Sequence, residues 1–103
     1  MLEMIIGMIS RVQILDELEQ VRYYYSRKRD LFNSNLVGIF LPIVSKYDNA
    51  ISGCSNIKLI DLYKLVYQEN NTLSSACIIM GMCRKRITSL HTELIHFFEV
   101  VLQ

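Results

Sequence analysis

The stretch "TLSSACIIMGMCRKRITSLHTELI", residues 72–95, joins an apolar block to a renewed amphipathic pattern through a glycine and three consecutive basic residues. Thr72 is a good N-cap for a short helix over residues 73–80. Gly81 can adopt the positive φ that ends such a helix and turns the chain. Ala76 is the small residue needed where two helices cross closely. This order of features predicts a short helix and a tight turn, followed by a second helix.

The second helix of this pair is predicted to run from about Arg84 to the C-terminus. Ile87, Leu90 and Leu94 form its inward face, at steps of three and four. Six outward residues in its first half are hydrogen-bond donors, which suits a surface for phosphates and base edges. Thr72 and Ser74, at the start of the short helix, complete this surface. The predicted DNA-binding residues are therefore Thr72, Ser74, Arg84, Lys85, Arg86, Thr88, Ser89 and Thr92. The cations would supply most of the affinity through counterion release, and the hydroxyl groups of the second helix would tune sequence choice.

The chain as a whole favours an all-α fold, because its 103 residues include only one proline and four glycines. A helical pattern over residues 57–68 supplies the third helix of a three-helix core. Its apolar face is predicted to comprise Ile57, Ile60, Tyr63, Val66 and Tyr67. Residues 49–56, "NAISGCSN", are typical of a linker, and Pro42 is predicted to kink or restart a helix before it. The predicted organisation is an N-terminal helical arm over 1–52 and a helix-turn-helix DNA-binding domain over 57–103.

The arm begins with a helical pattern over residues 2–25 that is unusually rich in apolar residues. The predicted oligomerisation residues are Leu2, Ile5, Ile9, Val12, Leu15 and Leu18. Additional apolar residues widen this face beyond what one small domain would cover. Two interpretations are open: the face binds a partner, most simply a second copy of the chain, or it packs against the chain's own next helix.

Charge is distributed unevenly along a chain whose formal net charge is only +1. No acidic residue lies between Glu69 and Glu93, so the basic triplet of the second helix stands in an acid-free stretch. Local charge governs a binding surface, and the nearly neutral total is therefore compatible with a nucleic-acid partner. A second basic triplet, residues 27–29, has two interpretations: a solvated helix end, where cations suit the helix dipole, or a contact to phosphate.

Other classes of function lack support in the sequence. Cys54, Cys77 and Cys83 cannot all pair with one another and form no CxxC motif, which favours reduced thiols. No carboxylate pair, Ser-His-Asp arrangement, phosphate loop or metal-ligand cluster is present, so we predict neither an enzyme nor a cofactor. The longest apolar run, residues 36–44, is far shorter than the ~20 residues needed to cross a bilayer. The N-terminus also lacks the pattern of a signal peptide, so the chain is predicted to be cytoplasmic without a membrane partner.

The 23 residues from 72 to 94 resemble the C-terminal motif of the PapB-type regulators of bacterial fimbrial adhesin operons. Those regulators carry Ser at the position of Thr72, and Ala-Cys or Val-Cys at that of Ala76–Cys77. Many have Gly-Val at Gly81–Met82, an aromatic-Ser-Thr run at Ile87–Ser89 and a matching Leu near the end. The resemblance implies a small helical transcription regulator that binds AT-rich DNA near a pilus operon as an oligomer. It would activate or repress adhesin expression.

The sequence differs from the family at residues 83–86, where Cys-Arg-Lys-Arg stands in place of the family's Asn-Asn-Gly-Tyr. The base preference of the family is therefore not carried over to this chain. It implies minor-groove contacts, whereas a helix-turn-helix places its second helix in the major groove. A basic triplet suits either groove. The alternative function is a small helical adaptor whose apolar N-terminal face binds a larger protein, in which case the triplet is a solvated helix start.

Overall fold

The computed structural model of the protein describes residues 10–33 and 37–102, with the side chains of 32 and 33 left out. Within these residues the chain forms six α-helices and a π-helical segment, and no strand. The elements are α1 Arg11–Ser26, α2 Lys28–Asn33, α3 Val37–Ser52, α4 Ile57–Tyr63, the π segment Lys64–Gln68, α5 Leu73–Met80 and α6 Arg84–Val101. The predicted all-α class is confirmed.

Short polar side chains begin three of the helices. The hydroxyl of Ser10 accepts a hydrogen bond from the Gln13 amide at the start of α1, and Asn56 does the same for Lys58 in α4. Such caps pair backbone N–H groups that the first turn of a helix leaves without a partner. At the other end, the π segment is followed by Asn70, whose φ of 61° turns the chain toward α5. Asparagine tolerates this left-handed conformation better than most residues do.

One hydrophobic core runs through all six helices and the π segment. α1 packs against α3, the π segment and α6 through Ile14, Leu18 and Val21. In the centre, the ring of Phe98 meets the rings of Tyr47 and Tyr63 at centroid distances of 4.9 Å and 5.8 Å. Residues on both sides of the predicted boundary between 52 and 57 therefore contribute to the same core.

The inward face of α1 differs in phase from the apolar pattern recognised in the sequence. Leu18 is fully buried, but Val12 and Leu15 are 78% and 40% exposed. A chain so rich in apolar residues offers several helical stripes, and packing against α3 and α6 selects the one centred on Leu18. Near the start of α1, Arg11 pairs with Glu99 of α6 at 2.8 Å, which ties the first helix to the last. The predicted start of this helix at residue 2 lies outside the described residues.

Two predicted interruptions are smaller than expected. α3 continues through Pro42, which is exposed, so no new helix starts there. The predicted linker over 49–56 is reduced to 53–56, because α3 extends to Ser52. The reason is Ile51, which is buried in the core and stabilises a last helical turn. The small polar residues around Ile51 do not by themselves predict helix.

The predicted helix over 57–68 is present as α4 and its continuation, the π segment. The wider turn is seen in the hydrogen bond from the Glu69 amide to the Lys64 carbonyl, at 2.8 Å. A π turn shifts the side chains that follow it relative to a regular helix. Leu59 and Leu62 are buried, whereas Ile57, predicted on the inward face, is exposed.

Candidate nucleic-acid interface

The two helices predicted around the glycine turn have the expected bounds. Thr72 caps α5 by accepting a hydrogen bond from the Ser75 amide at 3.0 Å. Gly81 ends α5 with a φ of 66°, and the Met82 amide then donates to the Cys77 carbonyl at 2.9 Å. Ala76 is fully buried where α5 packs against the π segment and α6. The sequence predictions for this cap, this turn and this small residue are confirmed.

α6 has the predicted inward face, because Ile87, Leu90 and Leu94 are all buried. All eight residues predicted to bind DNA are exposed. They lie in three groups: Thr72 and Ser74 at the start of α5, the basic triplet in the first turn of α6, and Thr88, Ser89 and Thr92 further along α6.

A hydrogen bond brings the first two groups together. The Arg84 guanidinium donates from Nη1 to the Ser74 hydroxyl oxygen at 2.7 Å, so the starts of α5 and α6 meet at the surface. Lys85 and Arg86 form no ion pair with any described residue. This end of α6 therefore presents three cations that no carboxylate of the described chain neutralises.

The position of these cations is electrostatically unfavourable in the absence of an anion. Arg84, Lys85 and Arg86 occupy the first turn of an 18-residue helix, which contains no acidic residue there. The positive end of the helix dipole favours negative charge, and each misplaced charge costs about 0.3–1 kcal/mol. Cys83, the N-cap residue, provides no side-chain cap. A bound phosphate would offset the repulsion and accept hydrogen bonds from the uncapped N–H groups.

The hydroxyl residues differ in how they are used within the chain. The Thr72 hydroxyl caps α5, and the Thr92 hydroxyl donates to the Thr88 carbonyl at 3.1 Å. The side-chain hydroxyls of Thr88 and Ser89 have no partner among the described residues. Thr88 and Ser89 are therefore the residues of this set whose hydroxyl groups are available to a ligand without breaking an internal hydrogen bond.

His91 lies between these residues on α6 and was not assigned a functional role from the sequence. Its Nε2 lies 2.5 Å from the Tyr67 hydroxyl of the π segment, and the two rings are stacked. Burial lowers the pKa of His91, although the charge of Glu19 on α1 opposes this. The neutral imidazole can accept a hydrogen bond from the Tyr67 hydroxyl, and this contact holds the middle of α6 against the π segment. His91 itself is half-buried.

Two carboxylates form polar clusters that the sequence did not indicate. Asp48 accepts hydrogen bonds from the hydroxyls of Tyr25 and Tyr63, both at 2.5 Å, and from Gln68 at 3.1 Å. Burial and the bond to Asp48 raise the pKa of Tyr63. These contacts join α1 and α3 to α4 and the π segment.

The second carboxylate, Glu17, accepts hydrogen bonds from Lys46 and Tyr47, both at 2.7 Å. Burial alone would raise the pKa of Glu17, but these hydrogen bonds and the charge of Lys46 outweigh it and lower the pKa. Glu17 and Asp48 thus link α1 to α3 at two separate points. No sequence motif marks such links, because each joins residues far apart in the chain.

The predicted oligomerisation residues do not form one exposed surface. Leu2, Ile5 and Ile9 lie outside the described residues. Val12 and Leu15 are exposed on α1, but Leu18 is in the chain's own core. Of the described part of this set, only Val12 and Leu15 are available to a partner.

Other site types have no counterpart in the described part of the chain. Cys54 and Cys77 are half-buried, Cys83 is exposed, and all three are free thiols. No group of three or more described His, Cys, Asp or Glu residues is arranged to hold a metal ion. None of the described helices combines the length and apolar character required to span a membrane.

No protein-family model, curated protein or solved structure matches this chain.

Proposed function

We propose that the protein is a DNA-binding transcription regulator that acts in the cytoplasm and binds AT-rich duplex DNA as an oligomer. The observation that carries this proposal is the acid-free start of α6, where three exposed cations surround an uncapped helix N-terminus. DNA phosphates would be neutralised by these cations, with release of counterions. The resemblance to PapB-type regulators supports a fimbrial adhesin operon as the target.

The contact between Arg84 and Ser74 supports a binding surface shared by α5 and α6. Such a surface would place the backbone amides and hydroxyls at the start of α5 near one phosphate and the triplet near the next. Thr88 and Ser89, with free hydroxyls, would then face base edges if α6 enters the major groove. In the alternative minor-groove mode, the arginines of the triplet would enter the narrow groove of AT-rich DNA.

The chain contains its own matched control for a test of DNA binding. Residues 27–29 and residues 84–86 both read Arg-Lys-Arg, and all six side chains are exposed. Replacing either triplet with three alanines removes the same charge, but only the second replacement removes it from the start of α6. We expect the 84–86 variant to lose at least about tenfold in affinity and to show a salt dependence of log K that is shallower by about 2–3. The 27–29 variant should bind nearly as the unchanged protein does.

The measurement is a fluorescence-anisotropy titration with an AT-rich and a GC-rich duplex of equal length, at two salt concentrations. A competing minor-groove ligand, such as netropsin, distinguishes the two grooves. Equal losses from the two triplet variants would indicate general electrostatic attraction and contradict a site on α6. A folded protein that binds neither duplex at low salt would leave the helical adaptor as the better account.

A further inference from the structure

A groove of about 360 Å³ lies between the α4 helix with its π segment and the end of α5. Half of its lining is apolar: Leu65, Ile79, Met80 and Met82. The other half is charged: Lys58, Asp61, Lys64 and Glu69. We call this surface the α4–α5 groove. It shares no residue with the predicted DNA-binding set.

No described residue covers the apolar part of the α4–α5 groove. Ile79 is 57% exposed, and its neighbour Ile78 is 83% exposed. α5 has the sequence LSSACIIM, yet Ala76 is its only fully buried residue. Met80 and Met82 are half-buried and flexible enough to adjust to a partner. An exposed apolar surface that is bordered by charged residues is typical of a protein–protein contact.

The charges around the groove indicate which partner fits. Lys58, Asp61 and Lys64 follow one another at steps of three, and Glu69 comes after the π segment. None of the four forms an ion pair with a described residue. Two are positive and two are negative, so a partner of uniform charge would repel half of them.

A second copy of the same surface satisfies both signs at once. In a two-fold symmetric contact, residue i of one protomer meets residue j of the other and the reverse. The lysines of each protomer can then meet the carboxylates of its partner, while Ile79 and the methionines of both copies bury one another. We propose that two copies of the chain form a symmetric dimer through the α4–α5 groove. This dimer does not require DNA, and it is distinct from association through Val12 and Leu15 of α1.

The first experiment tests the apolar contact by sedimentation velocity over a concentration series in the absence of DNA. We expect the unchanged protein to be dimeric at about 100 μM, a range in which even weak specific contacts are populated. Ile79→Glu should make it monomeric. Ile39→Glu is the matched control, because Ile39 is also an exposed helical isoleucine but lies on α3. Circular dichroism should show the same helicity for all three proteins, since both positions are at the surface.

The second experiment tests the charge pattern. The double variant Lys58→Glu, Lys64→Glu has four acidic groups around the groove, and the double variant Asp61→Lys, Glu69→Lys has four basic groups. Each should be monomeric alone because like charges would face each other in the symmetric contact. An equimolar mixture should restore association as a heterodimer, which native mass spectrometry identifies from the two masses.

Three results would overturn the proposal. They are an unchanged protein that stays monomeric at the highest concentration, a dimer that survives Ile79→Glu, and charge variants that fail to associate when mixed. Because DNA is absent throughout, none of these results depends on the proposed DNA-binding function.

Discussion

At the scale of single residues, the first turn of α6 and His91 have different roles in one helix: the first turn carries exposed charges, and His91 packs against the rest of the chain. Arg84, Lys85 and Arg86 stand at the positive end of the helix dipole, and the first turn of α6 contains no acidic residue. Two turns later, His91 faces inward and pairs with Tyr67. The same helix thus presents exposed cations at its start and a half-buried histidine, hydrogen-bonded to Tyr67, in its middle.

The His91–Tyr67 pair predicts a specific dependence of stability on pH. Burial lowers the pKa of His91 below its ordinary value of 6.5, so the folded state favours neutral imidazole. Between the folded pKa and 6.5 the unfolded chain binds more protons, and the free energy of unfolding therefore falls as the pH is lowered through this window. Above about 6.5 this contribution is fully present.

Urea denaturation at pH 7.5 and at pH 5.5 measures the effect. His91→Gln should reduce the loss of stability on acidification, because the titrating group is gone. His96→Gln is the control, since His96 is an exposed histidine of the same helix. Identical pH dependence in the unchanged protein and His91→Gln would contradict a lowered pKa of His91 in the folded state.

At the scale of elements, the turn between α5 and α6 depends on one backbone conformation. Gly81 has a φ of 66°, a region in which a side chain clashes with the following carbonyl. Beyond Gly81 and its two chain neighbours, no atom lies within 4 Å of a Cβ built on Gly81, so the cost of a substitution comes from the local backbone conformation. The same is true of the space around Gly38, which lies in α3 with ordinary helical geometry.

These two glycines give opposite predictions for the same substitution. Gly81→Ala should lower the free energy of unfolding by about 1–2 kcal/mol, because alanine is disfavoured at positive φ. Gly38→Ala should raise it by about 0.5 kcal/mol, because alanine is the better helix former. Urea denaturation of both variants provides the comparison. A gain in stability from Gly81→Ala would show that the turn does not hold the left-handed conformation in solution.

Several features of the elements follow from the sequence alone. The cap at Thr72, the turn at Gly81, the bounds of α5 and the inward face of α6 follow from local residue chemistry and helical spacing, and they are confirmed. Pro42 and the "NAISGCSN" stretch predict larger interruptions of helix than the structure contains, because α3 continues through Pro42 and extends to Ser52. Local signals of this kind are overridden when a buried residue such as Ile51 stabilises an extra helical turn.

At the scale of the whole molecule, α1 is part of the common core. Leu18 is fully buried between α1 and its neighbours, whereas Leu15, one turn away, is 40% exposed. Truncation of the N-terminal region would therefore remove core residues as well as any oligomerisation surface. Point substitutions separate these two effects better than deletions do.

Leu18→Ala and Leu15→Ala are a matched pair within α1. The first should lower the free energy of unfolding by about 2–5 kcal/mol, because it leaves a cavity in a packed core. The second should cost less than about 1 kcal/mol, as exposed substitutions usually do. Both costs can be measured by urea denaturation at a protein concentration low enough to keep the chain monomeric. Similar small costs for both variants would mean that α1 separates from the core in solution.

Local sequence features account for the all-α class, for the order of helix, glycine turn and helix in α5 and α6, and for the exposed basic triplet. These features depend on residues close together in the chain, where propensity, capping and periodicity act directly. Three features follow from tertiary packing instead: which stripe of α1 is buried, the links that Asp48 and Glu17 make between distant helices, and the exposure of the α4–α5 groove among the described residues. Each of these features depends on which apolar faces meet and on charges brought together from separate helices. Helical periodicity identifies the apolar face of one helix but does not predict which other helix it packs against.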